Sequence, residues 1–101
     1  MTEIRNPGMD ELATSINMWA NSVFPNRTDA SMFMKLYGEV AELVDATDDE
    51  CEGEVADILI MVLDFAKRKN IDITMAVTRK MLINMGRKWE IGPNGTMRHV
   101  E

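Results

Sequence analysis

Glu39-Val40-Ala41-Glu42 and Glu54-Val55-Ala56-Asp57 are the two stretches on which the reading of this chain turns. Each carries two acids three residues apart, and on an α-helix such residues share one face. Between them, Thr47-Asp48-Asp49-Glu50 reads as a turn: an N-cap candidate followed by acids that suit a helix N-terminus. Two consecutive helices joined there bring the pairs together. Four carboxylates at one spot repel one another and are partly protonated unless a cation sits among them. Hard oxygen ligands of this kind suit Mg²⁺, with Mn²⁺ as a second choice.

A lone Glu-x-x-Glu is usually just a solvated helix face. The second pair changes the weighing. Glu54 and Asp57 lie against Ile58 to Leu63, the longest apolar run in the chain, where an unpaired charge is costly to hold. The sole histidine, His99, is in the tail, so zinc sites and the Glu-x-x-His di-iron pattern lack their ligands. The acidic turn from Asp45 to Glu52 also lacks the spacing of an EF-hand loop.

Outward from this centre, helical spacing covers most of the chain. The helix with the first acid pair starts near Thr28 or Asp29 and runs to about Ala46, with Leu36, Val40, Leu43 and Val44 as its apolar stripe. The next continues to about Lys69 and is apolar nearly all round, which predicts burial on several sides and a partner subunit to supply it. Upstream, Met9 to Val23 places Leu12, Ile16, Trp19 and Ala20 at helical spacing, and Phe24-Pro25-Asn26 stops it. Downstream, a fourth helix is predicted from Thr74 to Trp89, with Met75, Val77, Met81, Leu82 and Met85 apolar. On that helix Lys80, Asn84 and Lys88 share a face, with Arg87 beside them. Spacing alone makes this an ordinary polar face; next to a Mg²⁺ cluster, such cations are what a polyphosphate needs. Residues Glu90 to Glu101 read as a turn or tail, and no stretch alternates like a strand. The expected fold is all-α, in a single domain spanning 1–101.

Composition sets bounds. The 101 residues carry a net charge of −6, which argues against broad nucleic-acid or anionic-membrane binding. Cys51 stands alone and cannot form an internal disulfide. No apolar run is long enough to span a membrane and no signal-peptide pattern is visible, so the cytoplasm is the expected location.

With these residues in place, the chain resembles the MazG-like, all-α nucleoside triphosphate pyrophosphohydrolases. Leu36 to Leu43 looks like that family's Glu-x-x-Glu helix, Glu54 to Ile60 its Glu-x-x-Asp helix, and Lys80 to Trp89 its Lys…Asn…Arg/Lys-aromatic segment. The resemblance implies a four-helix bundle completed by pairing into a homodimer or homotetramer. It implies cleavage of a nucleoside triphosphate between the α- and β-phosphates, giving monophosphate and pyrophosphate. Glu39, Glu42, Glu54 and Asp57 would then be metal ligands, and one of them, or a nearby acid, would orient or deprotonate water. Lys80 and Arg87 or Lys88 would hold phosphates, Asn84 the sugar or a phosphate, and Trp19 or Phe24 would stack on the base. Arg98 or His99 of the tail would reach phosphate only if the tail closed over the nucleotide; an interface arm or disorder is the favoured expectation. Two rival readings stay open at this point. One is a catalytically inactive helical oligomerisation or regulatory module. The other is a pyrophosphohydrolase of a different nucleotide, such as phosphoribosyl-ATP or an alarmone.

Overall fold

A computed structural model of the chain describes residues 7–100. Four helices come first: α1 (Met9–Val23), α2 (Asp29–Val44), α3 (Asp48–Arg68) and α4 (Ile73–Met85). Two short strands follow, β1 (Trp89–Ile91) and β2 (Met97–His99). The helix boundaries follow local chemistry. Before Pro25, α1 closes with the Phe24 N–H donating to the Ala20 carbonyl at 2.8 Å. Thr28 opens α2 through a capping box: its hydroxyl accepts from the Ser31 N–H at 3.1 Å, and the Ser31 hydroxyl accepts from the Thr28 N–H at 2.9 Å. At the start of α3 the Glu50 carboxylate accepts from the Thr47 N–H at 3.0 Å, and this hydrogen bond holds Glu50 below its ordinary pKa. Asn70, at φ 56°, supplies the left-handed residue that ends α3. Asp72 then caps α4 by accepting from the Met75 N–H at 3.0 Å.

α3 is the central rod, packed against α1 on one side and α2 on the other. The buried apolar set among the described residues is small: Ala13, Ala20, Met32, Leu63 and Ala66. Ala13 and Ala20 lie seven apart on α1, so their short side chains let it approach α3 closely. Phe33 and Phe65 meet with ring centroids 5.1 Å apart across the α2–α3 contact. α4 is held mainly to α1, where the Asp10 carboxylate accepts from the Ile73 N–H at 3.1 Å. None of its residues is buried.

The all-α expectation holds, with local differences. α4 ends at Met85, short of Trp89, because the chain turns at Gly86 and the Trp89 indole N–H donates back to the Asn84 carbonyl at 2.7 Å. Lys88 therefore stands outside the helix and does not continue its face. The tail, expected as a turn or flexible arm, forms an antiparallel hairpin with Trp89 opposite His99 and Ile91 opposite Met97. Gly92 donates to Thr96 at 2.7 Å, and Gly95 adopts the φ of 82° that the turn requires. Strands of three residues are too short to show alternation in sequence. Several predicted core positions are exposed in the chain: Leu12, Trp19, Val40, Val44, Val55, Leu59 and the apolar set of α4. Among the described residues no helix is long and apolar enough to cross a membrane.

Candidate active site

Only Asp45, Ala46 and Thr47 separate α2 from α3, so the two run antiparallel as neighbours, and the C-terminal half of one faces the N-terminal half of the other. This places Glu39, Glu42 and Glu54 with one carboxylate oxygen each, all within 4.8 Å of one another. Glu39 is buried, and its Oε1 pairs with Lys35 Nζ at 2.9 Å one turn earlier on α2. Its Oε2 and the Oε2 of Glu54 are shielded from solvent without a donor. An unsatisfied buried polar atom costs on the order of 1–3 kcal/mol, and a charged one more. Burial, and then the neighbouring charges of Glu42, Asp57 and Glu39, push the Glu54 carboxyl above its ordinary pKa. The hydrogen bond to Glu39 raises the Lys35 ammonium correspondingly.

Asp57, the fourth predicted ligand, sits one turn beyond Glu54 on α3. It is exposed and lies outside the three-carboxylate group, yet close enough to act on Glu54. It borders a cavity of about 420 Å³ between α1, α2 and α3, as do Lys35 and Glu39. That volume is in the range of small-molecule sites. Trp19 and Phe24, the predicted stacking residues, line it too, meeting edge to face at 5.7 Å. Ile16, Ile60 and Met61 make the rest of the wall largely apolar.

The basic residues fall elsewhere. Lys80 is exposed on α4; Asn84 is half-buried with a shielded, unpartnered Oδ1; half-buried Arg87 and exposed Lys88 lie in the link to β1. None of the four lines the cavity. Arg98 pairs with Glu90 at 2.6 Å, and His99 stacks edge-on against Trp89.

Sequence reading missed a second polar group in the cavity wall. Asp64 is buried, accepting from Arg27 Nε on Oδ2 and from Arg27 Nη2 and Asn17 Nδ2 on Oδ1, each at 2.9 Å. Arg27 is fixed further by donating from Nη2 to the Asn21 side-chain Oδ1 at 2.8 Å and from Nη1 to the Phe24 backbone carbonyl at 3.1 Å. The available signal was spacing: Asp64 is seven residues beyond Asp57, on the same face of α3.

This donor set suits a hard divalent cation. Two shielded acid oxygens lack a partner inside a like-charged group, and the ligands are all carboxylates.

No protein-family model matches the chain. It is 37% identical over 90 residues to a dATP/dGTP diphosphohydrolase of Cyanophage S-2L, covering 89% of this chain and 86% of that protein. It is 44% identical over 85 residues to a dATP/dGTP diphosphohydrolase of Salmonella phage PMBT28, covering 84% of this chain but only 29% of that longer protein. Among solved structures, the Cyanophage S-2L MazG-like pyrophosphohydrolase bound to dGDP and three catalytic Mn²⁺ ions per active site superposes with a TM-score of 0.84. The two are 35% identical, with 94% of this chain and 95% of the other covered. Likeness of this extent, running through both acid-bearing helices, leaves one assignment: the chain belongs to the MazG-like family and is a nucleotide pyrophosphohydrolase.

Proposed function

We propose that the chain hydrolyses purine deoxynucleoside triphosphates to the monophosphate and pyrophosphate, with Glu39, Glu42, Glu54 and Asp57 holding Mg²⁺ or Mn²⁺. The observation that carries this is the convergence of three carboxylates with two shielded, unpartnered oxygens at the edge of a largely apolar cavity. The purine deoxynucleotide is supported by the relatives, both dATP/dGTP diphosphohydrolases, and by the dGDP bound in the structural neighbour. A bound divalent cation supplies positive charge against the phosphate oxygens and acidifies water.

The remaining work falls to side chains. The base enters the cavity against Trp19 and Phe24, which exclude water from its faces. The triphosphate then extends toward Glu39 and Asp57. One carboxylate of the group takes a proton from the attacking water as the bond between the α- and β-phosphates breaks and pyrophosphate leaves. Lys35 neutralises part of the acid group and is placed to meet a phosphate oxygen.

Lys80, Asn84, Arg87 and Lys88 serve the phosphates in an assembly. Met81, Leu82, Ile83 and Met85 are exposed along α4, and a homodimer or homotetramer would cover them. We place this enzyme in the cytoplasm, where its substrates are.

The test is a panel of dNTPs and NTPs with Mg²⁺ or Mn²⁺, scored for monophosphate and pyrophosphate. Cleavage of dATP and dGTP, lost in Glu54→Gln and Asp57→Asn with the helical circular-dichroism signal intact, is the expected result. Absence of cleavage, or full turnover in both variants, refutes the assignment.

A further inference from the structure

The cavity has two polar ends. Along α3, Asp57, Met61 and Asp64 border it on successive turns; along antiparallel α2, Glu39, Lys35 and Ser31 do the same in the opposite direction. Seven residues at 1.5 Å each separate Asp57 from Asp64 by about 10.5 Å of helix. That is the scale of a nucleotide from its α-phosphate to the far edge of its base. If the acid cluster marks the phosphate end, Asp64 stands at the base edge.

Asp64 is an unusual wall residue. An ion pair buried in apolar surroundings rarely stabilises a fold more than apolar residues of the same volume. Here the pair faces a cavity instead of closing the core. A carboxylate offers about four lone-pair sites. Asn17 and Arg27 occupy two on Oδ1, and Arg27 one on Oδ2, which leaves an acceptor position on Oδ2. The bidentate guanidinium fixes the plane of that carboxylate, so the free lone pair has a defined direction. What it recognises must donate.

Resting on the purine-nucleotide reading above, we propose that Asp64, clamped by Arg27 and Asn17, is a specificity-determining residue that accepts a hydrogen bond from the 2-amino group of guanine. Guanine presents two adjacent donors on its Watson–Crick edge, the ring N1–H and the 2-amino group, where adenine presents one. A pyrimidine carries its edge one ring closer to the sugar and falls short. Arg27 Nη1, with one donor on the Phe24 carbonyl, keeps a second N–H for the guanine O6.

The experiment compares dGTP with dITP, which lacks only the 2-amino group. A hydrogen bond to a buried charged group predicts kcat/KM for dITP about 10- to 100-fold below that for dGTP, carried by KM. 7-Deaza-dGTP, which loses an acceptor that a carboxylate cannot serve, should stay close to dGTP. In Asp64→Asn the dGTP-to-dITP ratio should collapse toward one. Equal cleavage of dGTP and dITP by the unaltered enzyme overturns the proposal, as does a folded Asp64→Asn with the ratio intact. If that variant fails to fold, Asp64→Glu decides, since it keeps the charge but advances the carboxylate by one bond. A ratio altered threefold or more supports the proposal, and an unaltered ratio overturns it. Cleavage of nucleotides without a dITP penalty removes the role of Asp64 alone. No cleavage of any nucleotide removes the pyrophosphohydrolase reading with it.

Discussion

Replacing Glu39 by Gln should stabilise the metal-free protein while destroying its activity. The side chain keeps its shape, so the cavity is preserved, but one negative charge leaves the group. Glu39 has two acidic partners, Glu42 and Glu54, with oxygens within 4.8 Å. At that separation each like-charge pair repels by about 0.9 kcal/mol at the dielectric of water and about 3.5 kcal/mol at an effective dielectric near 20. Against this stands the loss of the Lys35 pair, whose lysine is 66% exposed and therefore worth little. Because Glu42 is exposed and Glu54 only half-buried, the water-like end of that range applies, and the balance favours Gln by about 1–2 kcal/mol, or a rise in Tm of roughly 5–10 °C for a domain of this size. Saturating Mn²⁺ reverses the order. A ligand at 100 times its Kd stabilises the unaltered protein by about 2.7 kcal/mol, and the variant, short of one carboxylate, gains less. The assay is a thermal melt of both proteins at one protein concentration, in EDTA and again with Mn²⁺, beside a pyrophosphate-release assay. Turnover should fall at least 10- to 100-fold, the loss seen when even an outer-shell partner of a metal is removed. A variant that melts below the unaltered protein in EDTA, or an unaltered protein indifferent to Mn²⁺, overturns this account of the acid group.

Arg27→Met should cost about 3–5 kcal/mol in urea unfolding, because it leaves the Asp64 carboxylate buried without its guanidinium; adding Asp64→Leu should recover most of that. Thr28→Ala should cost about 1 kcal/mol by removing the α2 cap, read as a lower urea midpoint with an unchanged m-value. Asp29, held below its ordinary pKa by its hydrogen bond to Lys69 and further by Arg68, stabilises the fold above its unfolded value near 3.8 and loses that contribution as pH falls through the lowered value. Asp29→Asn should therefore lower the urea midpoint at neutral pH, and the difference should vanish in acid below that window. Leu82→Glu, at an exposed apolar position of α4, should shift the protein to a smaller species on size-exclusion chromatography with its helical signal intact.

The convergence of Glu39, Glu42 and Glu54, though not of Asp57, was legible because a helix writes its faces into the sequence at a fixed period, and the short connection through Thr47 left one way to fold the two rods together. Local rules of this kind also located Thr28 and the stop at Pro25. What failed to show was what depends on distant partners. Arg27 and Asp64 lie 37 residues apart, one in a breaker and one in an apolar run, and each alone looks like a solvated charge. The hairpin escaped for a different reason: its strands have three residues each, and the Gly95 turn looks the same whether or not strands flank it. Apolar stripes could be read along the helices, but Val44 and Leu82, exposed in the chain, show that a stripe does not say whether it is buried.

Among the described residues, the buried apolar set is Ala13, Ala20, Met32, Leu63 and Ala66, and the buried polar residues are the two acids Glu39 and Asp64. A core this small gains most from every apolar side chain it can enclose, so an acid there works against folding unless its charge is met. Asp64 is met, by Arg27 and Asn17. Glu39 is met on one oxygen only, by an exposed lysine, and its other oxygen is shielded without a donor. Both acids border one cavity. The satisfied one has the geometry of a recognition element that stays fixed before the ligand arrives; the unsatisfied one has the energetics of a site completed only when a cation does arrive. That contrast in how the two charges are balanced is what the proposed base and phosphate ends of the cavity would require.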